Sequence, residues 1–198
     1  MANNLKSFVT VIANEEATKW LDETVEKIET GNILSFAQGF YENVDVSEDG
    51  TSVMNAWSLD NLGSKWTYLY DVQADNQFSI ESAWYAPTDF FKHLYKMVHK
   101  IDPEAILEVT YEDESYDPIG ALVIKKNDEG EYVMYSEEDN DMEDPTDDMD
   151  WDDEGYDEAQ MDFMDSIYNR TQELLKECYV MIEENDGERI FDEEVEQA

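Results

Sequence analysis

"SFVTVIANEEATKWLDETVEKIE", residues 7–29, changes its hydrophobic period partway along, and that change sets the fold class. Residues 7–12 are rich in β-branched and aromatic side chains, which suit a pleated strand. From Ala17 onward, Trp20, Leu21, Thr24, Val25 and Ile28 recur at helical spacing, so one face of this segment packs inward. Asn14 supplies an N-cap, Glu15 and Glu16 complement the positive end of the helix dipole, and Gly31 offers a stop. A strand leading directly into a one-faced helix requires a sheet for that helix to lie on.

Working outward, the same two periods alternate. "SEDG" (47–50) reads as a turn and "TSVMNAW" (51–57) as a strand. "KWTYLYDVQ" (65–73) and "QFSIESAWY" (77–85) alternate around "ADN" and predict a hairpin. Pro87 and Thr88 open a second helix, "TDFFKHLYKMVHKI", which ends at the Asp102–Pro103 pair. "AILEVTYED", "GALVIKK" and "EYVMYSE" predict three more strands. The order is α+β, with an antiparallel sheet and its helices on one face. Residues 158–198 predict a helix with an apolar stripe of Met161, Met164, Ile167, Tyr168, Leu174, Leu175, Cys178, Met181 and Ile182, followed by a turn and an acidic tail. That stripe is expected to dock on the sheet or on another subunit.

Charge is the second decisive feature. Among 198 residues, 51 Asp and Glu face 12 Lys and Arg, a net charge of −39, although 41% of the chain is hydrophobic and 13% aromatic. There is material for a core, and a field that repels nucleic acid and anionic membranes while favouring basic proteins and cations. Between Lys126 and Arg170 no basic residue occurs, and 19 of the 43 intervening residues are acidic. The division expected is a folded domain over 1–136, an acidic loop over 137–157, and a C-terminal helix and tail over 158–198.

Three patches, "NLGSKW" (61–66), "SAWYAP" (82–87) and "LEVTYEDES" (107–115) with "GALVIKK" after it, resemble the YubB-like ferredoxin-like domain of plasmid and phage proteins. The similarity spans about residues 5–135, and Leu62 stands where that family commonly has tryptophan. The resemblance implies a ferredoxin-like sheet and a mobile-element origin. It implies no catalytic residues, and it does not extend to the acidic segment or the C-terminal helix.

Catalytic and metal chemistry find little support in the residues. His93 and His99 are six apart on one helix and do not share a face well. No phosphate-binding loop or dinucleotide fingerprint is present. With Gly155 at the sixth position of a calcium loop, Asp150, Asp152 and Glu154 fit, but Met161 stands where a bidentate Glu is required. The single cysteine, Cys178, excludes an internal disulfide framework. No secretory leader or membrane span is legible, so a cytoplasmic protein is expected, in the host cytoplasm if phage-encoded. The reading is a non-enzyme with no cofactor, no metal, no membrane and no direct nucleic-acid contact.

What remains is an acidic surface that binds a basic, DNA-binding host protein by presenting carboxylates where DNA presents phosphates. Its candidate residues are Asp141, Asp144, Asp147, Asp148, Asp150, Asp152, Asp153, Glu154 and Asp157, with Trp151 and Tyr156 adding contact area. Two further readings are a virion structural or assembly protein whose acidity governs association with basic partners or cations, and a halophile-adapted domain of any function. Homo-oligomerisation is left open. Lys92, Lys96 and Lys100 stripe the second helix, and they invite either solvent or a folded-back acidic segment. Trp57, Trp66, Trp84 and Tyr85 are expected in the core rather than on a stacking platform.

Overall fold

A computed structural model of the chain describes residues 3–44, 52–74, 76–142, 144–146, 149–184 and 186–191. Strand β1 (Asn4–Ile12) leads into α1 (Glu15–Val25), α2 (Ile33–Phe40) and α3 (Ser52–Leu62). The hairpin β2 (Lys65–Ala74) and β3 (Gln77–Ala83) follows, then α4 (Thr88–His99). Strands β4 (Ile106–Asp113), β5 (Ile119–Lys126) and β6 (Tyr132–Asp139) come next, before α5 (Tyr156–Glu183) and β7 (Glu188–Phe191). Asn14 caps α1 as its position suggests, accepting from the Ala17 N–H at 3.0 Å.

All seven strands join one antiparallel sheet in the order β2-β3-β1-β4-β5-β6-β7. Strict alternation on β1 sends Leu5, Val9 and Val11 to one face and Lys6, Phe8 and Thr10 to the other. The first face packs against Leu21 and Val25 of α1, Phe36 and Phe40 of α2, and Phe90, Leu94 and Val98 of α4. Rings of Phe36, Phe40 and Phe90 meet at centroid separations of 4.8 to 5.3 Å, in tilted or edge contacts that favour aromatic pairs. On the opposite face, Ile119, Ala121 and Val123 of β5 and Val133 of β6 pack under Phe163, Ile167, Leu174, Cys178 and Ile182 of α5. The apolar run "IGALVI" is explained by this position, because β5 is buried from both sides.

Several expectations are corrected. Helices occupy both faces, with α5 the one helix on the second among the described residues. The segment expected as the strand "TSVMNAW" is, from Ser52 onward, the start of α3, while Thr51 and "SEDG" lie outside the described residues. Helix α2 was not foreseen. Helix α1 ends at Val25, and Gly31 sits in the following turn at φ 73°, where its N–H reaches the Leu69 carbonyl of β2 at 2.9 Å. The acidic tail contributes β7, which pairs with β6. In α5 the inward stripe is phased on Phe163, leaving Met161, Met164 and Tyr168 exposed. Trp66, Trp84 and Tyr85 are exposed rather than core, whereas Trp57 is half-buried against Tyr41.

Candidate functional site: an acidic surface around the start of the long helix

The acidic run begins on β6, and there its carboxylates are already engaged. Glu137 accepts from the Tyr135 hydroxyl at 3.0 Å, and Glu138 from the Tyr111 hydroxyl at 2.8 Å. Asp139 accepts from Arg170 Nε at 2.7 Å, which holds its carboxyl below the usual range. Arg170 also reaches Glu177 at 3.0 Å and Glu173 at 3.4 Å. The first cation after Lys126 is therefore surrounded by three carboxylates.

Beyond β6 the chain builds turns from its own aspartates. Asp144 accepts from both the N–H and the hydroxyl of the buried Thr146, at 2.8 and 2.7 Å. Asp153 accepts from the Asp150 N–H at 3.0 Å while its own N–H reaches the Asp150 carbonyl. Short side chains that bond the backbone two or three residues away fix such turns without a hydrophobic core. Met142 anchors the segment on the second core, which Tyr116, between β4 and β5, also joins by meeting Phe163 edge-on at 5.5 Å.

Asp141, Asp150, Asp152, Asp153, Glu154 and Asp157 are exposed, whereas Asp144 and Tyr156 are half-buried. Asp147 and Asp148 lie outside the described residues. Trp151 is 81% exposed, so its ring is available as contact area and does not pack the segment down. Among the described residues the segment does not settle on the lysine stripe of α4, which lies on the opposite face of the sheet from α5. Lys92 instead meets both carboxylate oxygens of Glu188 on β7 at 2.9 Å. His93 stacks on Tyr41 at 4.0 Å with Nε2 3.0 Å from the Phe40 carbonyl, and burial lowers its pKa.

The structure adds residues that composition alone did not single out. Glu158, Asp162 and Asp165 are exposed and fall three or four residues apart along the outer side of α5. Met161, Met164 and Tyr168 lie beside them, exposed by 70%, 40% and 64%. The helical spacing 158, 162, 165 was the available signal, but only the phase of Phe163 and Ile167 shows which side faces out. Carboxylates and soft apolar side chains thus share one surface. It can attract a cationic partner and still offer area for packing.

Among the described residues, no group of three or more His, Cys, Asp or Glu is placed to hold a metal ion, and no helix is long and apolar enough to cross a membrane. No protein-family model, no curated protein and no solved structure matches this chain.

Proposed function

We propose that this chain is a non-enzymatic acidic protein of a phage or other mobile element that occupies the DNA-binding surface of a basic host protein. The observation that carries the reading is the exposed array from Asp150 to Asp165. It is free of basic residues, and the cation that follows, Arg170, is held by Asp139, Glu173 and Glu177. A solubilising tail needs only charge. This array also exposes Trp151, Met161, Met164 and Tyr168, side chains that gain most from being covered by a partner.

The scaffold is compatible with the ferredoxin-like reading. Order β2-β3-β1-β4, with helix between β1 and β2 and again between β3 and β4, supports a four-stranded unit of that type extended by β5, β6 and β7. In this reading the acidic array is an addition mounted on the extension, where α5 is held by β5 and β6.

Affinity capture from bacterial lysate over a series of salt concentrations tests the proposal, with duplex DNA as competitor. A variant carrying Asp150→Asn, Asp152→Asn, Asp153→Asn, Asp157→Asn and Glu158→Gln keeps side-chain shape while removing charge. The parent is expected to retain a basic DNA-binding protein, release it as salt rises, and lose it to duplex DNA. Equal retention by parent and variant, with the same salt dependence, would refute mimicry through this surface.

A further inference from the structure

The face of the sheet that carries α5 is only half covered. Helix α5 packs on β5 and β6 and reaches β4. Among the described residues no other helix joins the core on that side, so β1, β3 and β2 have no helix over them there, although Phe8 and Thr10 are half-buried and Ser79, paired with Phe8, is buried. With strands ~4.8 Å apart, three of them present a width of ~10–14 Å, the diameter of one helix. A groove of about 560 Å³ runs between this surface and α5, with Phe8, Thr10 and Thr110 on the sheet side and Met164, Ile167 and Tyr168 on the helix side.

We propose that this groove receives a basic amphipathic helix of a partner protein, laid beside α5 to complete the second helical layer. Width and shape argue for a helix. A partner strand is disfavoured, because the edge strand β2 has three register shifts and the Gly31 N–H already occupies its Leu69 carbonyl. Apolar residues at the i, i+3, i+4 and i+7 positions of the incoming helix would meet Phe8, Met164, Ile167 and Tyr168, with methionine adapting to their shape.

Charge selects the rest of the partner. Among the described residues, the one charged residue lining the groove is Glu112, and Asp165 lies three residues before Tyr168 on its wall. Lys6, on the same face of β1 as Phe8, is held over the rings of Phe8 and Tyr70 at 4.9 and 4.3 Å, between Glu81 and Glu112 in register. A second copy of this chain would bring another −39 charges, so self-association through this face is opposed. Lysine and arginine on the flanks of the incoming helix are favoured by the same field. This inference does not rest on DNA mimicry: Met164 and Tyr168 border both surfaces, but the groove is tested at those two residues and the carboxylate array at Asp150, Asp152 and Asp153.

The test uses two synthetic peptides of about 18 residues, ~27 Å when helical. Both contain only lysine and leucine in equal composition. One has leucines segregated on a single helical face, and the other has them dispersed. Titration calorimetry is combined with methyl NMR of the parent protein. The segregated peptide is expected to bind at least about tenfold more tightly and to shift the Met164, Ile167 and Thr10 methyl signals. Met164→Lys with Tyr168→Lys, both at exposed positions, should remove that advantage while leaving the melting temperature near the parent's. Carboxamide substitution at Asp150, Asp152 and Asp153 should weaken both peptides alike. Equal binding of the two peptides, or shifts confined to residues 150–162, would overturn the proposal.

Discussion

Tyr111 of β4 fills the space that Gly120 of β5 leaves by lacking a Cβ, and its hydroxyl continues to Glu138 of β6 at 2.8 Å. Register places the three residues in one row across three strands, since Tyr111 pairs with Gly120 and Gly120 with Glu138. The glycine is therefore a packing requirement, because any Cβ there would overlap the Tyr111 ring. Gly120→Ala is expected to cost ~1–3 kcal/mol, as overpacking of a tight core does. Tyr111→Phe removes only the hydrogen bond to a carboxylate that can turn to water, and should cost ~0.5–1.5 kcal/mol. Urea unfolding of both variants checks the order, and a more severe loss in Tyr111→Phe would contradict this account.

Trp66 and Trp84 make a second unusual pair. Their rings lie 5.6 Å apart at the end of the β2–β3 hairpin, and both backbones are left-handed, at φ 54° and 65°. Bulky residues pay ~1–2 kcal/mol for that conformation. Here it is imposed by surrounding bonds: the Trp84 N–H reaches the Asn3 carbonyl at 3.1 Å, and the Ser64 hydroxyl reaches the Ala83 carbonyl at 2.7 Å. Both indoles are partly exposed, so relief of strain offsets lost packing when one is replaced. Trp84→Asn should cost less than ~1 kcal/mol, well below the ~3–5 kcal/mol typical when a buried tryptophan is truncated. Chemical denaturation followed by far-UV circular dichroism measures this, and a loss in the buried range would make the pair a structural anchor instead.

The sequence was most legible where one signal sufficed. Branched residues at 7–12, the Asn14 cap and the alternating hairpin each act within a few residues, and β1, α1, β2 and β3 follow from them. It was misleading where tertiary contact decides. "TSVMNAW" has strand-forming side chains and no clear helical stripe, yet α3 forms where Leu62 is buried beside β2 and α4. Phe163, rather than Met161 or Met164, faces the sheet because Tyr116 meets it there, a contact between residues far apart in the chain. The candidate surface was legible as a density of carboxylates. Which of them are free depends on partners: Glu137, Glu138, Asp139 and Asp144 are held internally, and the spacing of acids along the chain does not reveal Tyr135, Tyr111, Arg170 or Thr146 as the reason.

Glu112 should make folding pH-dependent in the direction opposite to a salt-bridged acid. Burial raises its pKa, and Lys6 across the strand pair pulls it part of the way back. A carboxyl raised in the folded state keeps its proton longer than in the unfolded chain. Its contribution to stability is therefore greatest in acid and declines as pH rises through the unfolded and then the folded pKa. Glu112→Gln is expected to raise the melting temperature at neutral pH, with the gain over the parent shrinking towards zero below the usual carboxyl range. Paired thermal melts across that range remove the background from the other acids. A variant less stable than the parent at neutral pH would show that the Lys6 attraction outweighs burial.

Self-repulsion gives the last expectation. A net charge of −39 is drawn into a smaller volume on folding, and the exposed carboxylates from Asp150 to Asp165 stand close together without compensating cations. Raising ionic strength from ~0.15 M to ~1 M shortens the screening length from ~8 Å to ~3 Å, which weakens repulsion between neighbouring turns of α5 and the loop before it. Melting temperature should rise steadily with NaCl. Asp150→Asn, Asp152→Asn and Asp153→Asn together should melt higher than the parent in low salt and show a shallower salt dependence, because part of the repulsion is already gone. Magnesium should stabilise as a more effective screening ion, with no plateau at low concentration. A sharp, saturating rise with magnesium, abolished by the three asparagines, would instead reveal a discrete cation site and would shift the purpose of this surface from protein recognition towards metal-dependent assembly.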